Sequence, residues 1–165
     1  MSLNESFNIG SRIKGKTALA VTITQTSNTA ATTQDGLTVD RNLSPLRRYY
    51  SCKVVIGGQF LYAASSAHTA TIAGFTVQHS SDGTSWDNYT TNASSVVWGT
   101  TAAAASLTTA GTEPDELEHS VNLNGARRYL RVQIPAPTFS DCSSGSVLTL
   151  GGAFVFGGAD ELPAQ

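Results

Sequence analysis

The sequence predicts an all-β fold, a β-sandwich in the favoured form of a jelly roll, preceded by an extended N-terminal arm. Several stretches alternate apolar and polar residues, which is the period of a strand with one buried face. Glycine-containing turn signals separate these stretches, and no segment has the apolar spacing of a long helix. A chain of 165 residues can bury the core of one such domain without disulfides or metals.

The composition argues against several classes of function. Hydrophobic residues make up 40% of the chain and charged residues only 13%, against a usual charged share of ~25%. The net charge of −2 argues against a nucleic-acid binder, which needs a clustered basic face. No apolar run approaches the ~18 residues of a membrane span, and the N-terminus lacks the apolar stretch of a signal peptide. We therefore expect a protein made in the cytoplasm, with no nucleic-acid or membrane partner.

The first 16 residues are predicted to form a polar arm, because their apolar side chains are isolated and follow no regular period. Two interpretations remain open, a frayed terminus and an arm that becomes ordered on a partner. In the second interpretation its contact residues are Phe7, Ile9, Arg12, Ile13, Lys14 and Lys16. The sandwich domain is predicted over residues 17–158 and an acidic, exposed tail over residues 159–165.

The first strands are predicted from alternation and from one glycine pair. A strand over residues 17–24 is followed by a long connection, residues 25–44, with one short strand. The next strand, residues 47–56, ends at Gly57-Gly58, which is read as a turn that returns the chain along residues 59–66. The pairs predicted for this hairpin are Val54 with Leu61 and Cys52 with Ala63.

In the middle of the chain, residues 69–79 are predicted as one strand that ends at the turn signal Ser80-Ser81-Asp82-Gly83. The return strand begins over residues 84–89, and a short apolar strand follows at residues 94–98. The Ala/Thr-rich residues 100–111 are predicted as loop or weak strand, because the flanking threonines and glycine end any helix that four alanines begin.

The strongest local signal is Asn124-Gly125, which lies between two alternating stretches and predicts a two-residue hairpin over residues 117–134. Its register would join apolar with apolar residues and opposite charges. The predicted pairs include His119 with Leu130, Leu117 with Val132 and Glu118 with Arg131. The last strand is predicted over residues 147–156, where Gly151-Gly152 indicates a bulge or bend.

No catalytic or metal-binding arrangement is evident in the sequence. No pair of histidines has metal-ligand spacing on one element, and no GxSxG motif is present to position a serine nucleophile. His119 is expected to be a hydrogen-bonded core residue. Cys52 is expected to be a buried thiol, with a disulfide to Cys142 as the alternative. We therefore predict a non-enzymatic protein without metal or cofactor.

Two basic groups are further candidates for protein binding. Arg47 and Arg48 form one, and Arg127 and Arg128 with Arg131 form the other. Arginine suits the recognition of a carboxylate on a partner. The alternative is that these charges only keep strand edges soluble.

Two stretches resemble a known group of proteins. Residues 75–89, FTVQHSSDGTSWDNY, and residues 127–134, RRYLRVQI, resemble jelly-roll proteins encoded among the virion genes of tailed phages. They are also similar to discoidin-type and carbohydrate-binding jelly rolls. The phage resemblance implies a decoration, or cement, protein that binds the outside of an assembled capsid as a dimer or trimer and strengthens it.

That resemblance sets the expected partners and location. The partners would be the major capsid protein and further copies of the chain, and the location would be the capsid exterior. The alternative is a carbohydrate-binding or receptor-binding module of a phage tail or fibre, with exposed aromatic rings stacked on sugars. The candidate rings for that function are Tyr62, Trp86, Tyr89 and Trp98, although His79 is also expected to pack against Trp86.

Overall fold

A computed structural model describes residues 13–25, 30–42, 47–61, 68–100, 116–140 and 146–161. These ranges contain twelve β-strands and no helix, which confirms the predicted all-β fold. No helix in the described ranges is long and apolar enough to cross a membrane.

The largest layer is a four-stranded antiparallel sheet in the order β1-β12-β4-β9. Its strands are β1 (Lys14–Gln25), β4 (Arg47–Leu61), β9 (Glu116–Asn122) and β12 (Ser146–Glu161). The two longest strands, β4 and β12, pair along almost their whole length, which makes them the centre of the sheet.

Two further antiparallel sheets complete the structure. A five-stranded sheet has the order β2-β10-β6-β7, with β3 also paired to β10. A three-stranded sheet has the order β11-β5-β8. The five-stranded sheet contains β2 (Gln34–Asp35), β3 (Val39–Asp40), β6 (Phe75–Ser80), β7 (Asp87–Asn92) and β10 (Tyr129–Ile134). The three-stranded sheet contains β5 (His68–Ile72), β8 (Val96–Thr100) and β11 (Thr138–Ser140).

The core lies between the four-stranded sheet and the other two sheets. The Phe60 ring of β4 lies 6.2 Å from that of Phe139 in β11, and the Phe75 ring of β6 meets His119 of β9 edge-on at 6.1 Å. Because both contacts join residues of different sheets, the arrangement is the predicted sandwich. The jelly-roll version of it stays a prediction.

The alternation of apolar and polar residues correctly predicts which side of β1 is buried. Leu19 and Ile23 are buried, whereas Thr22 is exposed. The irregularity expected at Gly151-Gly152 occurs there, but the extra residue belongs to β1, since the register shifts between Thr17 and Leu19. Ala18 is therefore buried beside Leu19 instead of pointing outwards.

The turn predicted at Gly57-Gly58 is wrong, because β4 runs without interruption through both glycines. Val54 lies opposite Phe154 and Cys52 opposite Phe156, so the predicted pairs with Leu61 and Ala63 do not form. The physical reason is the length of β12, which offers β4 a ladder of hydrogen bonds along its full length and removes the need for a local return strand.

The single strand predicted over residues 69–79 is two strands in different sheets. Gly74 separates β5 from β6 and has a φ of 85°, a backbone conformation that favours glycine. The turn predicted after β6 forms as expected. Its Asp82 carboxylate accepts hydrogen bonds from the backbone N–H groups of Ser85 and Thr84, which hold the pKa of that carboxyl below its usual range.

The hairpin predicted around Asn124-Gly125 is also wrong in its pairing. The turn itself forms, with Ala126 N donating to Leu123 O at 3.0 Å. The flanking strands nevertheless enter different sheets, because β9 pairs with β4 and β10 pairs with β6. This turn is therefore a corner between layers, and the predicted partners are replaced: Leu130 lies opposite His79, and Glu118 lies opposite Val55.

The predicted arm and tail both overlap with the sheet. Lys14 and Lys16 belong to β1 and lie opposite Phe156 and Phe154 of the same chain, so the strand begins before residue 17. At the other end, β12 continues to Glu161. The remaining arm residues up to Arg12, with Phe7 and Ile9, lie outside the described residues.

Candidate interaction surface

One side of the four-stranded sheet faces away from the core, and we call it the outer face. Alternation and strand register assign its residues. From β1 and the residue before it they are Ile13, Gly15, Thr17, Ala20, Thr22 and Thr24. The two central strands contribute Ser51, Lys53, Val55, Gly57, Gln59 and Leu61 from β4, and Val147, Thr149, Gly151, Ala153, Val155 and Gly157 from β12. The edge strand β9 adds Glu116, Glu118, Ser120 and Asn122.

The outer face is rich in exposed apolar groups and poor in charge. Ile13 is 46% exposed, Leu61 42% and Val155 36%, and only two other large hydrophobic side chains of the described residues are as exposed. Lys53 and Glu118 form an ion pair of 2.5 Å. Since both partners are half-exposed, the pair contributes little stability, of the order of 0–1 kcal/mol. Glu116, at the start of β9, is the one other charged residue among the outer-face residues defined above.

Three glycines make this face smooth. A Cβ atom added at Gly15, Gly57 or Gly151 would meet no atom within 4 Å, and none of the three has a positive φ. Gly57 and Gly151 lie directly opposite each other on the two central strands. Neither packing within the chain nor backbone conformation requires glycine there, and glycine inside a strand often marks the close approach of another backbone.

A shallow groove of about 700 Å³ crosses the end of the outer face where β1 begins. Ile13, Val155 and Gly157 supply an apolar floor, and Lys53 and Asn122 add polar groups. Ile13 is therefore one predicted contact residue that the fold does bring to the candidate surface.

The exposed side of the five-stranded sheet has the opposite character. Arg131 forms an ion pair with Asp35 at 3.0 Å and donates from Nε to the side-chain oxygen of Gln78 at 2.8 Å. Gln78 in turn donates to Asn88 at 2.8 Å, and Gln133 donates to Asp35 at 2.8 Å. These polar groups satisfy one another within the chain, which is what a solvent-facing side requires.

Each of the three arginines in the second basic group pairs with a different carboxylate of the same chain. Arg127 pairs with Asp87, and Arg128 binds Asp40 through Nη2 at 2.7 Å and Nε at 3.0 Å. Partial burial would by itself raise the pKa of Asp40, but the hydrogen bonds from Arg128 and from the Asn42 backbone outweigh it and lower that pKa. Both arginines therefore have partners within the chain before any other protein binds.

The other predicted basic residues belong to the four-stranded sheet. Arg47 and Arg48 start β4, where their backbones lie opposite Glu161 and Asp160, and their side chains lie outside the described residues.

Aromatic residues proposed for sugar binding already hold contacts within the chain. The Arg131 guanidinium lies 4.6 Å from the centroid of the Trp86 ring, and the Tyr89 hydroxyl donates to Asn122 O at 2.6 Å. His79 packs on Tyr89 at 4.9 Å rather than on Trp86 as predicted. The side chain of Trp98 and the whole of Tyr62 lie outside the described residues.

The described residues contain no group of three or more His, Cys, Asp or Glu side chains that could hold a metal ion. His119 is a half-buried residue whose Nε2 lies 3.2 Å from the Thr90 hydroxyl oxygen, in agreement with the structural role expected for it.

Cys52 is a buried free thiol, as predicted, and burial raises its pKa to about 12. Because the thiolate is the reactive species, we expect alkylation by iodoacetamide at pH 8 to be about 1000-fold slower in the folded protein than for an exposed thiol. The measurement is the labelling rate of a Cys142→Ser variant with and without denaturant. Stability should also fall above pH 9, where the unfolded thiol ionises and the folded thiol does not. Equal labelling rates in the two conditions would contradict the burial.

Arg41 is a central residue that the sequence did not reveal. It lies in a polar connection, yet it is only 1% exposed, and its Nη1 donates to Leu123 O at 2.5 Å. Its backbone N also donates to Arg128 O at 3.0 Å. Arg41 thus ties the connection after β3 to the corner between β9 and β10.

Comparison with protein-family models and with curated proteins finds no match to this chain. The assignment of a function therefore depends on the residues and surfaces described above.

Proposed function

We propose that this protein is a virion structural protein that binds the outer surface of a phage capsid and stabilises it. The observation that carries the proposal is the outer face of the four-stranded sheet, which is broad, smooth and almost uncharged. The phage-type resemblance of residues 75–89 and 127–134 suggests the kind of partner, an assembly of the major capsid protein.

The size of the outer face suits a stable protein contact. Four strands spaced by ~4.8 Å and eleven residues rising ~3.4 Å each give an area of roughly 700 Å². A standard interface buries about 800 Å² on each partner. A flat face of Gly, Ala, Ser, Thr and Val would bind through close packing and main-chain approach, without the charged pairs that depend on salt.

The contrast between the two exposed sides indicates which one faces a partner. The ion pairs of Arg127, Arg128 and Arg131 make the exposed side of the five-stranded sheet polar and charged. The outer face has exposed Val155 and Leu61 instead. Exposed Ile13 and Val155 lie together at the groove, and an exposed apolar patch is typical of an interaction site.

The test is a Gly151→Lys variant added to capsids built from the major capsid protein of the same genome. The new side chain has open space around it and lies between Ala20 and Gly57, so the fold should be retained, but it would place an unpaired charge in the centre of the interface. We expect capsid occupancy, measured by cosedimentation, to require at least about tenfold more protein.

The matched control is Thr91→Lys, which adds the same charge on the exposed side of the five-stranded sheet. Its occupancy should equal that of the unchanged protein. Equal binding by both variants would exclude the outer face as the contact. Failure of the unchanged protein to bind the capsids would reject the decoration function itself.

A further inference from the structure

The two edge strands of the four-stranded sheet differ in whether side chains of the same chain occupy their outward backbone groups. On the β9 edge, side chains of β7 close the exposed carbonyl groups. Tyr89 donates its hydroxyl hydrogen to Asn122 O at 2.6 Å, and Asn92 donates to Glu118 O at 3.1 Å. Two carbonyl groups on this edge therefore already accept a hydrogen bond from the same chain.

Among the described residues, none provides that protection for the second half of the β1 edge. Leu37 N donates to Ala18 O at 2.8 Å, but within the described ranges no strand pairs with β1 on the side away from β12. From Ala20 to Gln25 the strand contains no charge, no proline and no register shift. These are the usual devices that keep an edge strand from pairing with another chain.

We infer that the β1 edge binds the same edge of a second copy of this chain, in antiparallel register about a two-fold axis at Thr22. An antiparallel edge is complementary to itself under such an axis, since each strand presents the same alternation of N–H and C=O groups. Five residues on each strand, from Ala20 to Thr24, would take part, and the two sheets would become one of eight strands.

Side-chain chemistry favours this register. With Thr22 on the axis, Val21 lies opposite Ile23 of the second copy on the buried side, and Ala20 lies opposite its Thr24 on the exposed side. Apolar residues thus meet apolar residues, and Thr22 meets itself, a pair that suits antiparallel strands.

The charge distribution selects the antiparallel direction. Lys14 and Lys16 are the only charged residues of β1, and both lie at its start. A parallel arrangement would place the lysines of the two copies side by side, whereas the antiparallel arrangement keeps them at opposite ends of the shared region.

This inference goes beyond capsid binding and does not depend on it. If the chain both dimerises and binds the capsid, the dimer presents two outer faces side by side. Binding of one face to the capsid then raises the effective concentration of capsid surface at the other face.

The test uses the free protein in size-exclusion chromatography with light scattering. The unchanged chain should have the mass of a dimer. Thr22→Lys and Thr22→Glu should each raise the dimer dissociation constant at least about tenfold, because like charges then face each other across the axis. An equimolar mixture of the two variants should recover the dimer, which also shows that both variants fold.

The matched control is Thr149→Lys, since Thr149 lies beside Thr22 on the same face but on the next strand inward. It should leave the dimer intact. The inference is overturned if the unchanged chain is a monomer, if the mixture does not recover the dimer, or if Thr149→Lys dissociates it equally. Capsid occupancy is measured separately, so failure of the decoration function leaves this result standing.

Discussion

Replacing Arg41 with alanine is expected to lower the free energy of unfolding by about 3–5 kcal/mol. The guanidinium is almost fully buried and donates to Leu123 O, the same carbonyl that closes the Asn124-Gly125 corner. Removing the side chain would leave a cavity and take a charged donor from that carbonyl. Since domains of this size have total stabilities of about 5–15 kcal/mol, the variant would be close to unfolding.

Two matched variants of Arg41 separate the causes of this effect. Arg41→Met keeps most of the volume and removes the donors, while Arg41→Lys keeps a charge and loses the planar guanidinium. The measurement is urea denaturation of all three variants. A large loss in Arg41→Met would assign the effect to hydrogen bonding, and a loss confined to Arg41→Ala would assign it to packing. A loss below about 1 kcal/mol in Arg41→Ala would contradict a central structural role.

Replacing Gly74 with alanine is expected to lower the free energy of unfolding by about 2–4 kcal/mol. Gly74 has a φ of 85°, and a Cβ atom there would lie 2.0 Å from Asn92 O. The substitution therefore combines an unfavourable backbone conformation with a backbone clash. The necessary shift would also move Asn92, whose side chain donates to Glu118 O on the edge of β9.

Two other glycines separate the cost of the backbone conformation from the cost of the clash. Gly83 also has a positive φ, 78°, but its Cβ would meet only the Tyr129 ring at 3.7 Å, so Gly83→Ala should cost only the conformational part, about 1–2 kcal/mol. Gly57→Ala should be neutral or stabilise by up to about 1 kcal/mol, because its Cβ has open space. Thermal unfolding of the three variants should give that order. A cost in Gly74→Ala no greater than that in Gly83→Ala would show that the clash with Asn92 O is relieved without cost.

The outer face is a surface that local sequence patterns do not reveal. Gly57 and Gly151 are 94 residues apart in the chain, and each is explained locally by a turn or a bulge. Only the pairing of β4 with β12 places them opposite each other in the middle of one sheet. Local patterns do not reveal the ion pairs either, because partners such as Arg128 and Asp40 are separated by 88 positions.

The sequence by itself determined the fold class, most strand positions and which side of each strand is buried. Alternation is a local property, and a strand with period two must turn its apolar side towards a core wherever that core lies. Alternation also correctly predicted the buried Cys52, and turn residues correctly predicted the turn at Asp82. The structural, hydrogen-bonded role expected for His119 agrees with its contact to Thr90.

Only the tertiary structure decided which strands are neighbours. Backbone hydrogen bonds are chemically identical for every pair of strands, so the alternation beside Asn124-Gly125 suits a hairpin and a corner between two sheets equally well. The longer ladder between β4 and β12 overrode the local turn at Gly57-Gly58, and the burial of Arg41 followed from the corner that it supports. The sequence therefore specifies the strands, while the competition among long-range pairings decides the sheets and the surface that they expose.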